Sequence, residues 1–178
     1  QELYEFIRFI LKTNKTNMYV NNITLNKIMT KTSKNDMVEF AIKHKPEVEQ
    51  RFKNADTTYL FHGSNSCNWY SILRNGLKNC SKSKMQLNGA AYGSGIYLAA
   101  DSNYSYRYSS MGEIIVLGVC QLINAPKYLR TTGIYVVPDE ENVLLKYIYI
   151  IPRGQTKYLT YLNNYFRTEL KKENTLRN

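Results

Sequence analysis

The chemistry open to this sequence rests on few residues. Its 178 positions hold two histidines and three cysteines. Cys67, Cys80 and Cys120 are an odd number, spaced too widely for a C-x-x-C clip or redox pair. Two histidines add too little to make a zinc set, so no metal is expected. All three cysteines read as reduced thiols of an intracellular protein, with Cys120 as plain core inside the apolar run 114–123. His62 stands apart. It follows a short β-rich run over 57–61 and precedes Gly63 and Ser64. A neutral imidazole donates from one ring nitrogen and accepts at the other, which suits a sugar hydroxyl. A lone histidine after a strand is otherwise a satisfied core residue or a loop ligand. Gly93-x-Gly95 has the look of a dinucleotide fingerprint, but the third glycine is absent and the strand-like Ile96-Tyr97-Leu98 follows where a helix should. That reading is rejected.

The elements that must position these residues follow from periodicity and punctuation. Leu3, Phe6, Ile7, Ile10 and Leu11 fall at helical spacing and predict an opening amphipathic helix. Residues 14–35, rich in Asn, Thr and Lys, read as loop with room for one short strand. Asp36 to Phe52 has a helical pattern interrupted at Pro46. Trp69, Ile72 and Leu73 share one helical face that Asn75-Gly76 stops. Asp101 is placed to cap a short helix ending near Tyr108. Three β-rich runs follow at 114–123, 134–137 and 143–151, the last two joined by the hairpin linker Pro138 to Asn142. Tyr158, Leu162, Tyr165, Phe166 and Leu170 form one helical stripe. We read residues 1–178 as a single mixed domain: a helical part over about 1–55, a core over 56–151 and a final helix over 158–173.

Composition fits a folded chain, with 43% hydrophobic and 21% charged residues. No apolar run approaches the length needed to span a bilayer, about 18–20 residues. The formal charge of +10 admits nucleic acid, an anionic surface or an anionic small substrate as a partner. The lysines are scattered, however, with only short clusters such as Lys82/Lys84 and Lys171/Lys172, so a nucleic-acid partner is possible but not favoured.

Three segments in order carry a resemblance: Phe61-His62-Gly63-Ser64, then Asn68-Trp69-Tyr70-Ser71-Ile72-Leu73-Arg74-Asn75-Gly76-Leu77, then Gly89-Ala-Ala-Tyr-Gly-Ser-Gly-Ile-Tyr-Leu98. Together they resemble the poly(ADP-ribose) polymerase family, and within it the branch that attaches single ADP-ribose units. The resemblance is dense over 57–111 and extends over about 3–151. It implies an α+β ADP-ribosyltransferase fold, with two packed, mainly antiparallel sheets and flanking helices around an NAD cleft. It also implies NAD as co-substrate and no metal. By this resemblance His62 bonds the adenosine ribose, with Ser64 and Asn68 on the same half of NAD. Gly63 pairs through its backbone with the nicotinamide carboxamide, to which Ser105 also donates. Tyr108 and Tyr97 form the two walls of the nicotinamide ring, and their offsets match the family: Ser105 and Tyr108 lie eight and eleven residues beyond Tyr97. Gly93 and Gly95 let a donor loop (about 80–94) pass close to NAD, and Tyr92 lines that loop.

Polymer-forming members carry a glutamate at the third catalytic position. Here that place falls on Ile134, so the catalytic set implied is His62, Tyr97 and Ile134. Asp139, Glu140 and Glu141 lie close in number, but the hairpin turn puts them at the opposite strand end, as a solvated turn. Losing the glutamate removes a grip on the nicotinamide ribose and a base for a hydroxyl nucleophile. An acceptor carboxylate is already ionised at neutral pH and needs no base. The expectation is therefore mono-ADP-ribosylation of a protein acceptor, with Asp, Glu or Cys side chains favoured, or automodification, by a monomer. The alternatives are a catalytically weak or inactive NAD-binding module and an ADP-ribosyltransferase that acts on nucleic acid.

Overall fold

The computed structural model describes residues 18–20, 37–80, 91–109 and 114–175, with side chains for 37–167 within those stretches. The first four strands among them are β1 (Met18–Val20), β2 (Val38–Ile42), β3 (Thr57–Gly63) and β4 (Ile96–Ala99). The remaining four are β5 (Ile114–Ile123), β6 (Leu129–Thr131), β7 (Ile134–Val137) and β8 (Val143–Pro152). Four helices join them: α1 (Pro46–Lys53), α2 (Trp69–Asn75), α3 (Ser102–Tyr108) and α4 (Lys157–Thr175).

The strands form an antiparallel ladder in the order β1-β2-β8-β5-β3-β4-β7-β6. The fold is α+β with antiparallel strands, as expected. Two packed sheets were expected, whereas the described strands join in one eight-stranded sheet with two halves. The halves meet where β3 and β4 pair at one position, Phe61 with Ala99. β5 lies near the middle and is buried almost throughout. Such a strand reads as a continuous apolar run because both faces are covered. Val116, Cys120 and Leu122 pack on one face with Trp69 and Leu73 of α2. Ile115, Leu117 and Val119 pack on the other with Tyr158, Leu159, Leu162 and Phe166 of α4.

Most described elements fall where the sequence places them, and two strands do not. Residues 38–42 are a strand, not the first part of a helix. β2 pairs with β8 from Val38 opposite Ile150 to Ala41 opposite Tyr147. Met37, Phe40 and Ala41 sit at helical spacing, but they are buried on opposite faces of a sheet, where no polar alternation appears. Pro46 opens α1 rather than interrupting it, because its missing N–H costs nothing in the first helical turn. The edge strand β6 was also not expected. It is exposed along its length and is defined only by its pairing with β7. The helix expected over residues 3–11 lies outside the described residues.

Candidate active site at the parting of β3 and β4

Beyond the Phe61–Ala99 pair, β3 and β4 no longer pair, so His62, Gly63 and Ser64 diverge from Leu98 and Tyr97. Cross-strand partners share a face of a sheet, and so do alternate residues along a strand. Gly63 therefore lies on the same face as Phe61. Tyr97, paired with Val136, and Ile134, paired with Ala99, lie on that face as well. α3 packs on this face, where a Cβ on Gly63 would meet the Ser105 backbone. His62 faces the opposite side, towards Trp69, with the two rings edge to face at 6.1 Å.

The imidazole nevertheless spans the parting. His62 Nδ1 donates to the Tyr97 carbonyl at 3.0 Å. A carbonyl only accepts, so the proton sits on Nδ1 and Nε2 keeps its lone pair. Burial pushes the His62 pKa below its ordinary value of 6.5, against the opposing pull of that hydrogen bond. The ring is neutral at pH 7, donating at one nitrogen and accepting at the other. The turn after it is fixed by the start of α2. Asn68 Nδ2 donates to Ser64 Oγ at 3.0 Å, and Trp69 Nε1 donates to the Ser64 carbonyl at 3.1 Å.

Gly63 is set by packing. A Cβ there would lie 1.8 Å from the carbonyl oxygen of Ser105, 2.6 Å from its carbonyl carbon and 2.9 Å from its Cα. Only glycine lets α3 settle this closely on β3, which brings the Ser105 backbone against the end of the strand. α3 itself starts as expected: the Asp101 carboxylate accepts from the Asn103 N–H at 2.8 Å. Ser105 is buried, and Tyr108, one turn on, is 56% exposed.

On the other side of the parting, the Tyr97 hydroxyl is doubly engaged. It donates to the Gly93 carbonyl at 2.8 Å and accepts from the Tyr92 N–H at 3.0 Å. Tyr97 thus holds the chain on which Tyr92, itself 47% exposed, stands. Gly95 fits closely against β7, where a Cβ would lie 2.8 Å from Val136 Cγ1 and from the Val137 backbone. Ile134 is half-buried at the start of β7, two positions from the residue opposite Tyr97. Among the described residues no acid replaces it there. Glu140 lies past the far end of β7, where Lys78 Nζ and the Asn79 N–H each donate to its carboxylate at 2.7 Å. Asp139 accepts from the Tyr128 hydroxyl at 3.0 Å.

Gly63, Ser105, Tyr97 and Ile134 thus come together on one face, with His62 reaching them through the Tyr97 carbonyl. Sequence reasoning missed the residues that hold this arrangement. Trp69 anchors Ser64 and packs edge to face against His62, and Asn163 of α4 ties α3 in place. The fully buried tryptophan beside Asn68 was a usable signal, whereas Asn163 left none in the local pattern. Among the described residues no three His, Cys, Asp or Glu side chains gather as metal ligands do. No helix among them is long and apolar enough to cross a membrane.

The chain belongs to the poly(ADP-ribose) polymerase catalytic domain family, whose profile matches residues 2–125. Among curated relatives, the mouse protein mono-ADP-ribosyltransferase PARP8 is 30% identical over 150 residues, covering 62% of this chain and 18% of that protein. The human protein of the same name is 29% identical over 150 residues, with the same coverage. The chain therefore spans about a fifth of the length of these relatives.

Proposed function

We propose that this chain is an NAD-dependent mono-ADP-ribosyltransferase that moves one ADP-ribose unit onto a protein acceptor and releases nicotinamide. The observation that carries this reading is Ile134, an aliphatic side chain on the Tyr97 face where no carboxylate stands among the described residues. The names of the two relatives support it.

The residues fit NAD as co-substrate. The Gly63 backbone, beyond the last β3–β4 pair and beside Ser105, suits a planar carboxamide, and the Nε2 lone pair of His62 suits the adenosine ribose hydroxyl. NAD supplies the labile bond between nicotinamide and the ribose C1′. Ser105 and the Gly63 backbone hold the carboxamide, while Tyr97 and Tyr108 flank the ring. Two aromatic contacts contribute about 0.5–1.5 kcal/mol each beyond area burial. His62 fixes the other end through the adenosine ribose, with Ser64 and Asn68 beside it. Catalysis here is positioning and electrostatics. Ile134 takes no proton, so the acceptor must arrive ionised. A carboxylate does so at neutral pH, and its oxygen forms the new bond to C1′ as the bond to nicotinamide breaks. A sugar hydroxyl, which chain growth needs, does not.

The test is incubation with NAD labelled in its adenine. Label is expected on protein, and Ser105→Ala combined with Tyr108→Ala is expected to abolish it. Wild-type protein that binds NAD yet transfers no label would overturn the reading in favour of a non-catalytic NAD module.

A further inference from the structure

The helix that carries Ser105 and Tyr108 is short, seven residues, and is held at its start by a polar network reaching 61 and 62 residues along the chain. Asn163, buried on α4, is its hub. Its Oδ1 accepts from the Ser102 N–H at 2.8 Å, and its Nδ2 donates to Asp101 Oδ1 at 2.8 Å. The same Asp101 oxygen accepts from the Asn103 N–H and from Asn103 Nδ2, each at 2.8 Å. Ser102, fully buried, donates its hydroxyl to the Leu159 carbonyl one helical turn before Asn163. One amide therefore satisfies an N–H at the head of α3 and orients the carboxylate that caps it. Burial alone would raise the Asp101 pKa. The hydrogen bonds from Asn103 and Asn163, with the charge of Arg167, outweigh this and hold the carboxyl below its ordinary value.

The apolar contacts of α4 would form without this network. Tyr158, Leu159, Leu162 and Phe166 pack against β-strand residues such as Phe61, Leu117 and Tyr149. They fix α4 to the sheet, and Tyr106 of α3 packs against the same cluster. The head of α3 is held by polar contacts instead, and Asn163 is the side chain pointed at it. Burying its amide is favourable only while both of its partners stay in place.

We infer that Asn163 is a positioning residue of the active site, setting through Ser102 and Asp101 where Ser105 and Tyr108 stand relative to Gly63. The inference rests on the reading of Ser105 and Tyr108 as the nicotinamide side of the cleft. It makes the C-terminal helix part of the active-site scaffold, although α4 lies beyond the residues that the family profile matches.

Two ligands separate the effects. NAD uses both halves of the cleft, whereas ADP-ribose uses only the half lined by His62, Ser64 and Asn68. Asn163→Asp keeps the shape but sets a second carboxylate against Asp101 and removes the donor. It is expected to weaken NAD binding roughly tenfold, the loss of one charge-assisted hydrogen bond, and to leave ADP-ribose binding within about twofold. Equal losses for NAD and ADP-ribose would show Asn163 to be a general stabiliser and overturn the inference. Ser105→Ala provides the separate check on the underlying reading. If Ser105→Ala leaves NAD binding unchanged, the assignment of α3 to nicotinamide fails. If Ser105→Ala weakens NAD and Asn163→Asp does not, the inference alone fails.

Discussion

Replacing Gly63 by alanine tests whether the strand end and α3 are built to touch. The new methyl would meet only backbone: the Ser105 carbonyl oxygen at 1.8 Å, its carbon at 2.6 Å and its Cα at 2.9 Å. No side chain can rotate away. Bringing the oxygen alone to an ordinary contact of 3.4 Å moves α3 or the end of β3 by about 1.6 Å. Neither moves freely, since β3 is paired with β5 through Gly63 opposite Leu117, and α3 is tied to α4. Forced overpacking costs about 1–3 kcal/mol, and rigid backbone on both sides places this case at the upper end. At about 2–4 °C per kcal/mol for a domain of this size, the melting temperature should fall by about 6–12 °C. The same shift displaces Ser105, and a misplacement of about 1 Å is enough to lower turnover by about 100-fold. Thermal melts followed by circular dichroism, beside kcat/KM for label transfer, measure both. If only the approach of a ligand required glycine here, the melt would stay within about 1 °C of wild type and KM alone would rise. That result would refute the packing argument.

Two further predictions follow from the same geometry. Tyr97→Phe keeps the ring but removes the hydroxyl that holds Gly93 and Tyr92. KM for NAD should rise about five- to tenfold with a smaller change in kcat, as steady-state kinetics would show. An unchanged KM would mean that the hydroxyl positions nothing. For His62 the sign follows from its lowered pKa. The contribution of the neutral ring to stability is complete above pH 6.5, the ordinary value, and is lost as pH falls from there through the lower native value. Between those values the unfolded chain binds a proton that the native chain does not. Urea melts at pH 7.5 and pH 5.5 should show lower stability at the acid value, by a margin that shrinks in His62→Gln. A margin that grows in the variant would contradict the buried neutral ring.

How much of this was legible in the sequence depends on the range of the forces involved. Local chemistry could be read directly. Asp101 caps α3 through the Asn103 N–H, Gly76 ends α2, and the apolar run of β5 is a doubly covered strand. Ile134 was placed at the start of its strand by counting back from β8, and it stands there, diagonal to Tyr97. β2 was misread because its two buried faces mimic a helical stripe over a few residues. Only its pairing with β8 decides between them. β6 has three exposed residues and no pattern of its own. The reason for Gly63 was half legible: close approach was expected, but the approaching group is the Ser105 backbone. Asn163 was hidden because its partners lie some sixty residues away, and an asparagine on a helix looks alike whether it faces water or the head of another helix.

The central claim is that this cleft transfers one ADP-ribose and stops. Intact-protein mass spectrometry after prolonged incubation with NAD tests it most directly, in wild type and beside an acidic acceptor protein. The account predicts species separated by one ADP-ribose unit per modified side chain, and proteolysis that finds a single unit at every site. Consecutive units on one side chain would contradict it, because growth requires a hydroxyl nucleophile that Ile134 cannot activate.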